Sequence, residues 1–308
     1  MDQFSNHPLY RRHNIDSVMS SLWEFYTKKF LSLFLISLAM SLVMQYAATF
    51  INMKELQGVT DPMVMLGMLK DLLVPILVIS LLNLLFATIL QYYIIYNPID
   101  NESSFLLLMV KSLKYYIPFL IIMVLFAFAS VIAIILGFLA LIVGVFFSIL
   151  YIMALYLLIL PVMMVEGANI GHTISRTFSL LHRNFWANIG WVAVLLIILI
   201  VVSVILSSII LLPFAGSFFR TIMNPEEASK LVDMTTNPLY IVLSALAGSL
   251  TLPVLPIFAS IMYFNGKAGE DEARTIAPVN PENDRVRVED LYAKPYSDDH
   301  PDNPEKKD

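Results

Sequence analysis

Few side chains in this sequence could make or break bonds. The histidines are His7, His13, His172, His182 and His300. His172 and His182 are close enough in sequence to meet on one helix. No carboxylate or third ligand stands at a spacing that would complete a zinc site with them. The sequence holds no His-Glu-x-x-His, no Gly-x-Ser-x-Gly and no Walker loop, the short motifs that would signal metalloprotease, esterase or nucleotide chemistry. No nucleophile–base pair suggests an intramembrane hydrolase. Cysteine is absent, which removes disulfides, thiolate metal sites and cysteine nucleophiles. The expectation is a chain that is not an enzyme and needs no cofactor or metal.

The remaining polar residues of interest are Glu166, Arg176 and Arg183. Glu166 is the only acidic residue between Glu102 and Glu226. It reads either as a polar anchor or ligand carboxylate, or, the favoured reading, as a solvated residue near the start of a connector helix, stabilised by the helix dipole. Arg176 and Arg183 are seven apart and share a helix face. They could bind lipid phosphate, although a positive-inside bias alone accounts for them. Pro253 and Pro256 interrupt an apolar run and form a candidate hinge, because each proline frees a carbonyl one turn back. Gln45, Asn83, Thr88 and Gln91 could line a polar path or bond between helices. No Asp, Glu, Lys, Arg or His falls near the centre of an expected span, which argues against proton-coupled pumping.

These residues must be positioned by apolar elements. Hydrophobic residues make up 58% of the 308 and charged residues 14%, against roughly 45–50% and about 25% in soluble domains. The excess fits a bilayer. Residues 30–51, 72–96, 187–213 and 239–264 each reach the roughly 20 residues that a span requires. Residues 117–161 carry no charge, and as one helix would run about 67 Å. Two spans, 117–136 and 138–161, are expected there, with Gly137 at the turn because glycine takes positive φ at no steric cost. The first apolar run is too long for a signal-peptide core.

Six spans place Arg11, Arg12, Lys28, Lys29, Lys111, Lys114, Arg176, Arg183 and Lys267 on one side, with Lys54, Lys70, Arg220 and Lys230 on the other. That bias predicts both termini in the cytoplasm of a cell (inner) membrane. Residues 1–29 would hold an amphipathic helix. Residues 265–308 carry 7 Lys+Arg against 12 Asp+Glu and read as a disordered acidic tail. Val286, Val288, Leu291 and Tyr292 form a small apolar island in it that could dock on a protein partner. No basic patch suggests nucleic acid.

Three segments share one layout: an amphipathic stretch, a basic residue, an aromatic, then a hairpin of spans. Lys28, Lys114 and Arg183 align, and Phe30, Tyr116 and Phe185 follow two residues later. Such stretches suit the interface, with cations near anionic headgroups and aromatics such as Trp186 in the interfacial belt. The predicted fold is all-α: six transmembrane helices with three interfacial helices on one face, arranged as a threefold repeat.

The third segment carries a further pattern: Pro161, then Glu166-Gly167, then Arg176-Thr177, then Phe185-Trp186. It resembles the membrane domain found fused to some glycerophosphoryl diester phosphodiesterases and also standing alone in bacterial and archaeal membrane proteins. The resemblance covers residues 10–266 and implies six spans with amphipathic connectors. Thr177 stands where that family usually has Ser. No catalytic domain accompanies the resemblance, since a barrel enzyme needs about 250 further residues, so phosphodiesterase activity is not implied. The leading expectation is a non-enzymatic scaffold or envelope-associated module that contacts membrane lipids. A transporter or lipid-translocating protein is the alternative, and an accessory subunit whose tail recruits a cytoplasmic enzyme is a third.

Overall fold

The computed structural model describes residues 4–51, 62–100, 104–139, 141–216 and 234–276. All regular structure among them is helical. Among the described residues, six helices are long and apolar enough to cross a membrane, which makes the chain a multi-pass membrane protein by length and hydropathy. Residues Met1–Gly269 form one compact unit; Glu270–Asp308 form a second, described through residue 276. Lys54, Arg220, Lys230 and the apolar island of the tail lie outside the described residues.

Helix α1, Ile15–Lys28, opens with a reciprocal cap. Ser17 N–H donates to Asn14 Oδ1 at 2.9 Å, and Asn14 N–H donates to Ser17 Oγ at 2.8 Å. Two of the helix's orphan donors are thereby satisfied. α1 buries Val18, Ser21, Phe25 and Tyr26 along one stripe. After Lys29 the chain re-enters helix as α2, Phe30–Ala48. α3 runs Pro62–Tyr96, α4 Phe105–Leu139 and α5 Leu141–Glu166. α6, Ile170–Arg183, is N-capped by Asn169, whose Oδ1 accepts from His172 N–H at 3.0 Å. It buries Thr173, Thr177, Leu180 and Leu181, the spacing of an amphipathic helix. α7 runs Phe185–Leu211 and ends in a short 3-10 turn, Leu212–Phe214. α8, Pro238–Thr251, and α9, Val254–Ile276, share the last crossing.

The repeat is visible in α1 and α6. Both have 14 residues, both are capped by Asn, and both end on a basic residue. A single non-helical residue and a phenylalanine follow in each. The middle segment differs from the expectation of a separate interfacial helix. There the chain stays helical from Phe105 through Lys114 and Tyr116 into the span. Tyr115 stands where Lys29 and Asn184 break the other two copies, and an aromatic residue there neither caps nor interrupts a helix. Packing repeats as well: each outgoing helix lies along the return helix of the preceding hairpin. Thus α2 lies on α8, α4 on α3 and α7 on α5.

Burial is concentrated at one end. Ile89–Ile95 without exception, most of residues 154–164, and residues 257–265 are buried in the ends of the three return helices. Hydrogen bonds described below bring α3, α4, α5, α6 and α9 together here. We term it the basic end. The opposite halves of the helices expose large apolar side chains, among them Val74, Phe128, Val143 and Val204. Such a surface is stable only against lipid or further protein.

The hairpin of α4 and α5 exists, but Gly137 does not make its turn. Gly137 stays inside α4, and the left-handed residue is Leu141, with φ of 62°. Ala140 lies outside the described residues. Gly137 serves close approach instead: a Cβ there would stand 2.5 Å from Ser148 Oγ and 2.9 Å from the Gly144 carbonyl oxygen. Gly137→Leu is therefore expected to force the two helices apart and cost about 1–3 kcal/mol. Thermal unfolding in detergent checks this; an unchanged midpoint would show that the helices separate freely.

The last helix also departs from expectation. Residues 265–276, assigned above to a disordered tail, continue α9.

Candidate functional site

The basic end is organised by orphan backbone groups. An α-helix leaves its last four carbonyls without helical donors. α5 ends at Glu166, and Gly167, with φ of 111°, turns the chain toward α6. The Met164 carbonyl receives the Tyr96 hydroxyl at 2.7 Å and the Tyr115 hydroxyl at 3.2 Å. Tyr92 stacks on Tyr96 with ring centroids 4.2 Å apart. Helices α3 and α4 are thereby tied to the end of α5.

Glu166 completes the junction. Arg176 Nε donates to both carboxylate oxygens, at 3.0 and 2.8 Å, and the Tyr263 hydroxyl donates to Oε1 at 3.0 Å. His172 Nε2 lies 3.2 Å from Oε2. The Glu166 side chain is 14% exposed and that of Arg176 18%. The favoured reading from sequence, a solvated carboxylate starting a connector helix, does not describe this geometry. Glu166 is the last residue of α5 and joins α5, α6 and α9. Tyr263, 97 positions away, gave no local sign of this contact.

A second feature escaped the sequence reading. Residues 4–13 tuck beneath the return helices, burying Phe4, His7, Leu9 and His13. The His7 ring stacks on Phe264 at 4.5 Å. Its Nε2 lies 3.3 Å from the Ile94 carbonyl near the end of α3, and its Nδ1 accepts from Leu9 N–H at 3.2 Å. That pair of contacts fits only the neutral ring protonated at Nε2. Burial pushes its pKa from the ordinary 6.5 down to about 4, against an opposing contribution from the Ile94 hydrogen bond. His13 N–H donates to Asn265 Oδ1 at 2.8 Å, and burial likewise lowers the pKa of its ring. The signal was present as Phe4, His7, Leu9 and His13 in an otherwise polar stretch, too short for a hydropathy window.

The other candidate residues are distributed around this junction. Lys28 is exposed and pairs with Glu24 at 2.7 Å. Lys114 is exposed, 4.7 Å over the Tyr115 ring. Lys29 Nζ donates to Asn97 Oδ1 at 3.2 Å. Arg183 Nη2 donates to the Gly269 carbonyl at 3.2 Å, and Arg176 is held by Glu166, so the two arginines serve different partners. Trp186 is 75% exposed beside Phe185, and Trp23 on α1 is 65% exposed.

Pro253 and Pro256 coincide with a real break, since helix stops at Thr251 and restarts at Val254. The Pro256 carbonyl accepts from Gln91 Nε2 at 3.2 Å and from Ser260 Oγ at 3.0 Å. Gln91 Nε2 also donates to Ser260 Oγ at 2.7 Å. Beside this bond lies a cavity of about 290 Å³, open to the helix surface, lined by α2, α3, α5, α8 and α9, with Gln45 half-buried in it and Asn83 exposed at its mouth. Gln45, Asn83 and Gln91, the intramembrane amides, meet in it; Thr88 instead bonds the Leu84 carbonyl of its own helix. No group of three or more potential metal ligands occurs among the described residues. No family model, curated protein or solved structure matches this chain.

Proposed function

We propose that this chain is a non-enzymatic membrane module that seats its basic end on anionic lipid, with that end in the cytoplasm of a cell inner membrane. The observation that carries the proposal is the pairing of α1 and α6. α1 presents exposed Trp23 and Lys28 and α6 ends on exposed Arg183, while exposed Trp186 opens α7 directly after α6 and exposed Lys114 lies in the first third of α4. Interfacial tryptophans and cations near headgroups are the elements of a lipid-facing surface. Each such cation contributes about 1 kcal/mol at an anionic membrane. A protein partner of the C-terminal tail would act from residues 277–308.

The test is lipid selectivity. Protein exchanged into mixed phosphatidylglycerol and phosphatidylcholine should retain phosphatidylglycerol preferentially, measured by mass spectrometry of bound lipid. The double substitution Lys28→Gln and Lys114→Gln should remove most of that preference. Equal retention of both lipids by the unaltered protein defeats the proposal.

A second reading, transport or lipid translocation, is favoured by one observation: the α8–α9 break lies beside the amide-lined cavity. Broken helices at mid-membrane depth are characteristic of transporters. A liposome assay that detects neither solute flux nor lipid scrambling by folded protein removes this reading.

A further inference from the structure

The cavity plays no part in lipid seating at the basic end. Its polar lining consists of Ser41, Gln45, Asn83, Gln91 and Tyr156. Gln91 is committed to Ser260 and the Pro256 carbonyl. Among the described residues, no hydrogen bond engages the side chains of Ser41, Gln45, Asn83 or Tyr156. Asn83 stands about 20 Å along α3 from Tyr96, and Ser41 about 16 Å along α2 from Phe30, at 1.5 Å per residue. Both positions fall within a hydrocarbon core of about 30 Å. Unsatisfied polar groups at that depth are expensive, and such groups are retained where they meet a partner or line a pathway.

The wall states the chemistry of the partner. It contains no Asp, Glu, Lys, Arg or His, so an ion would enter without a counter-charge in a medium that penalises it heavily. Amides both donate and accept, which suits a hydroxyl or amide group. The rest of the wall, including Met44, Phe86, Leu157 and Leu252, is apolar. Gly248 keeps one side open: a Cβ there would stand 2.8 Å from Ser41 Oγ. Pro256 lacks an N–H, so it leaves the Leu252 carbonyl without its helical donor, at the edge of the same space.

We infer that this cavity binds an uncharged amphiphile, its hydroxyl or amide head against Gln45 and Asn83 and its alkyl portion against the apolar wall. This goes beyond lipid seating at the basic end, and it requires binding only, not translocation.

The full chain in detergent micelles is titrated with monooleoylglycerol, and bound molecules are counted by native mass spectrometry. Oleate supplies the charged control and hexadecane the headless one. One monooleoylglycerol per chain is expected, in preference to both controls. Asn83→Leu and Gln45→Leu should each weaken binding about tenfold, the effect of one well-formed hydrogen-bonding group. Both variants should unfold at or above the temperature of the unaltered protein, because an unpartnered amide has been replaced by an apolar group. Equal binding of oleate or hexadecane, absence of monooleoylglycerol binding, or undiminished binding in both variants would each overturn the inference. A marked fall in unfolding temperature in both variants would also overturn it, by showing that the amides serve the fold. Lipid selectivity at Lys28 and Lys114 is read separately, so failure at one site leaves the other standing.

Discussion

Glu166→Ala should produce the largest loss of stability of any single polar substitution in this protein, about 2–3 kcal/mol. The carboxylate accepts from Arg176 Nε and Tyr263 Oη and faces His172 Nε2. Alanine removes the acceptor and leaves the donors in place. Breaking a fully buried pair costs about 3–5 kcal/mol because a charge is stranded. Arg176 is 18% exposed, so water reaches part of its guanidinium and the expected loss falls below that range. Glu166→Gln retains an acceptor for Tyr263 while discarding the charge, and should cost about half as much. The measurement is thermal or denaturant unfolding in detergent, with a double-mutant cycle against Arg176→Ala. If the junction is real, Glu166→Ala costs markedly less in the Arg176→Ala background. A single substitution within about 0.5 kcal/mol of the unaltered protein would mean that the carboxylate is a surface group.

Acidification should release the N-terminal arm. The folded pKa of His7 is depressed from 6.5 to about 4, so between those values the unfolded arm binds more protons than the packed one. The contribution of His7 is therefore complete above pH 6.5, declines as pH falls, and is lost by about pH 4. The displacement corresponds to about 3 kcal/mol in total. Geometry agrees with the sign: a proton placed on Nδ1 removes the acceptor that holds Leu9 N–H. Hydrogen exchange at the Leu9 amide should accelerate steeply between pH 6.5 and 4.5, beyond the intrinsic pH dependence of exchange. Thermal stability should fall over the same interval. His7→Leu should be less sensitive over this interval, with the lowered pKa of His13 supplying a residual slope. Identical pH profiles for His7→Leu and the unaltered protein would exclude His7 as the titrating group.

The two predictions divide along the line between local and long-range information. The repeated Lys-x-Phe and Arg-x-Phe boundaries, Lys28 to Phe30 and Arg183 to Phe185, are legible because helix ends are written locally in caps and breaks. The same reading assigned a third interfacial helix at 104–116 and placed the turn at Gly137. The first was missed although its signal is local, since Tyr115 neither caps nor interrupts a helix; the second was missed because close packing at Gly137 depends on the helix alongside. The candidate residues show the same limit. Glu166 and Arg176 lie close in sequence and were singled out together. Their partner Tyr263 and the buried His7 lie far away or in a segment too short to register.

Hydropathy and length determined, from sequence alone, that the chain crosses a membrane through six long apolar helices. Those properties belong to single segments, and the cost of placing a segment in lipid is set by its own residues. Which polar groups would meet was decided only in three dimensions. The Glu166 junction, the His7 arm beneath α3 and α9, and the gathering of Gln45, Asn83 and Gln91 around one cavity depend on the relative placement of distant helices. Helix association in lipid is governed by side-chain packing and scattered hydrogen bonds rather than by hydrophobicity, and that information is spread across the whole chain.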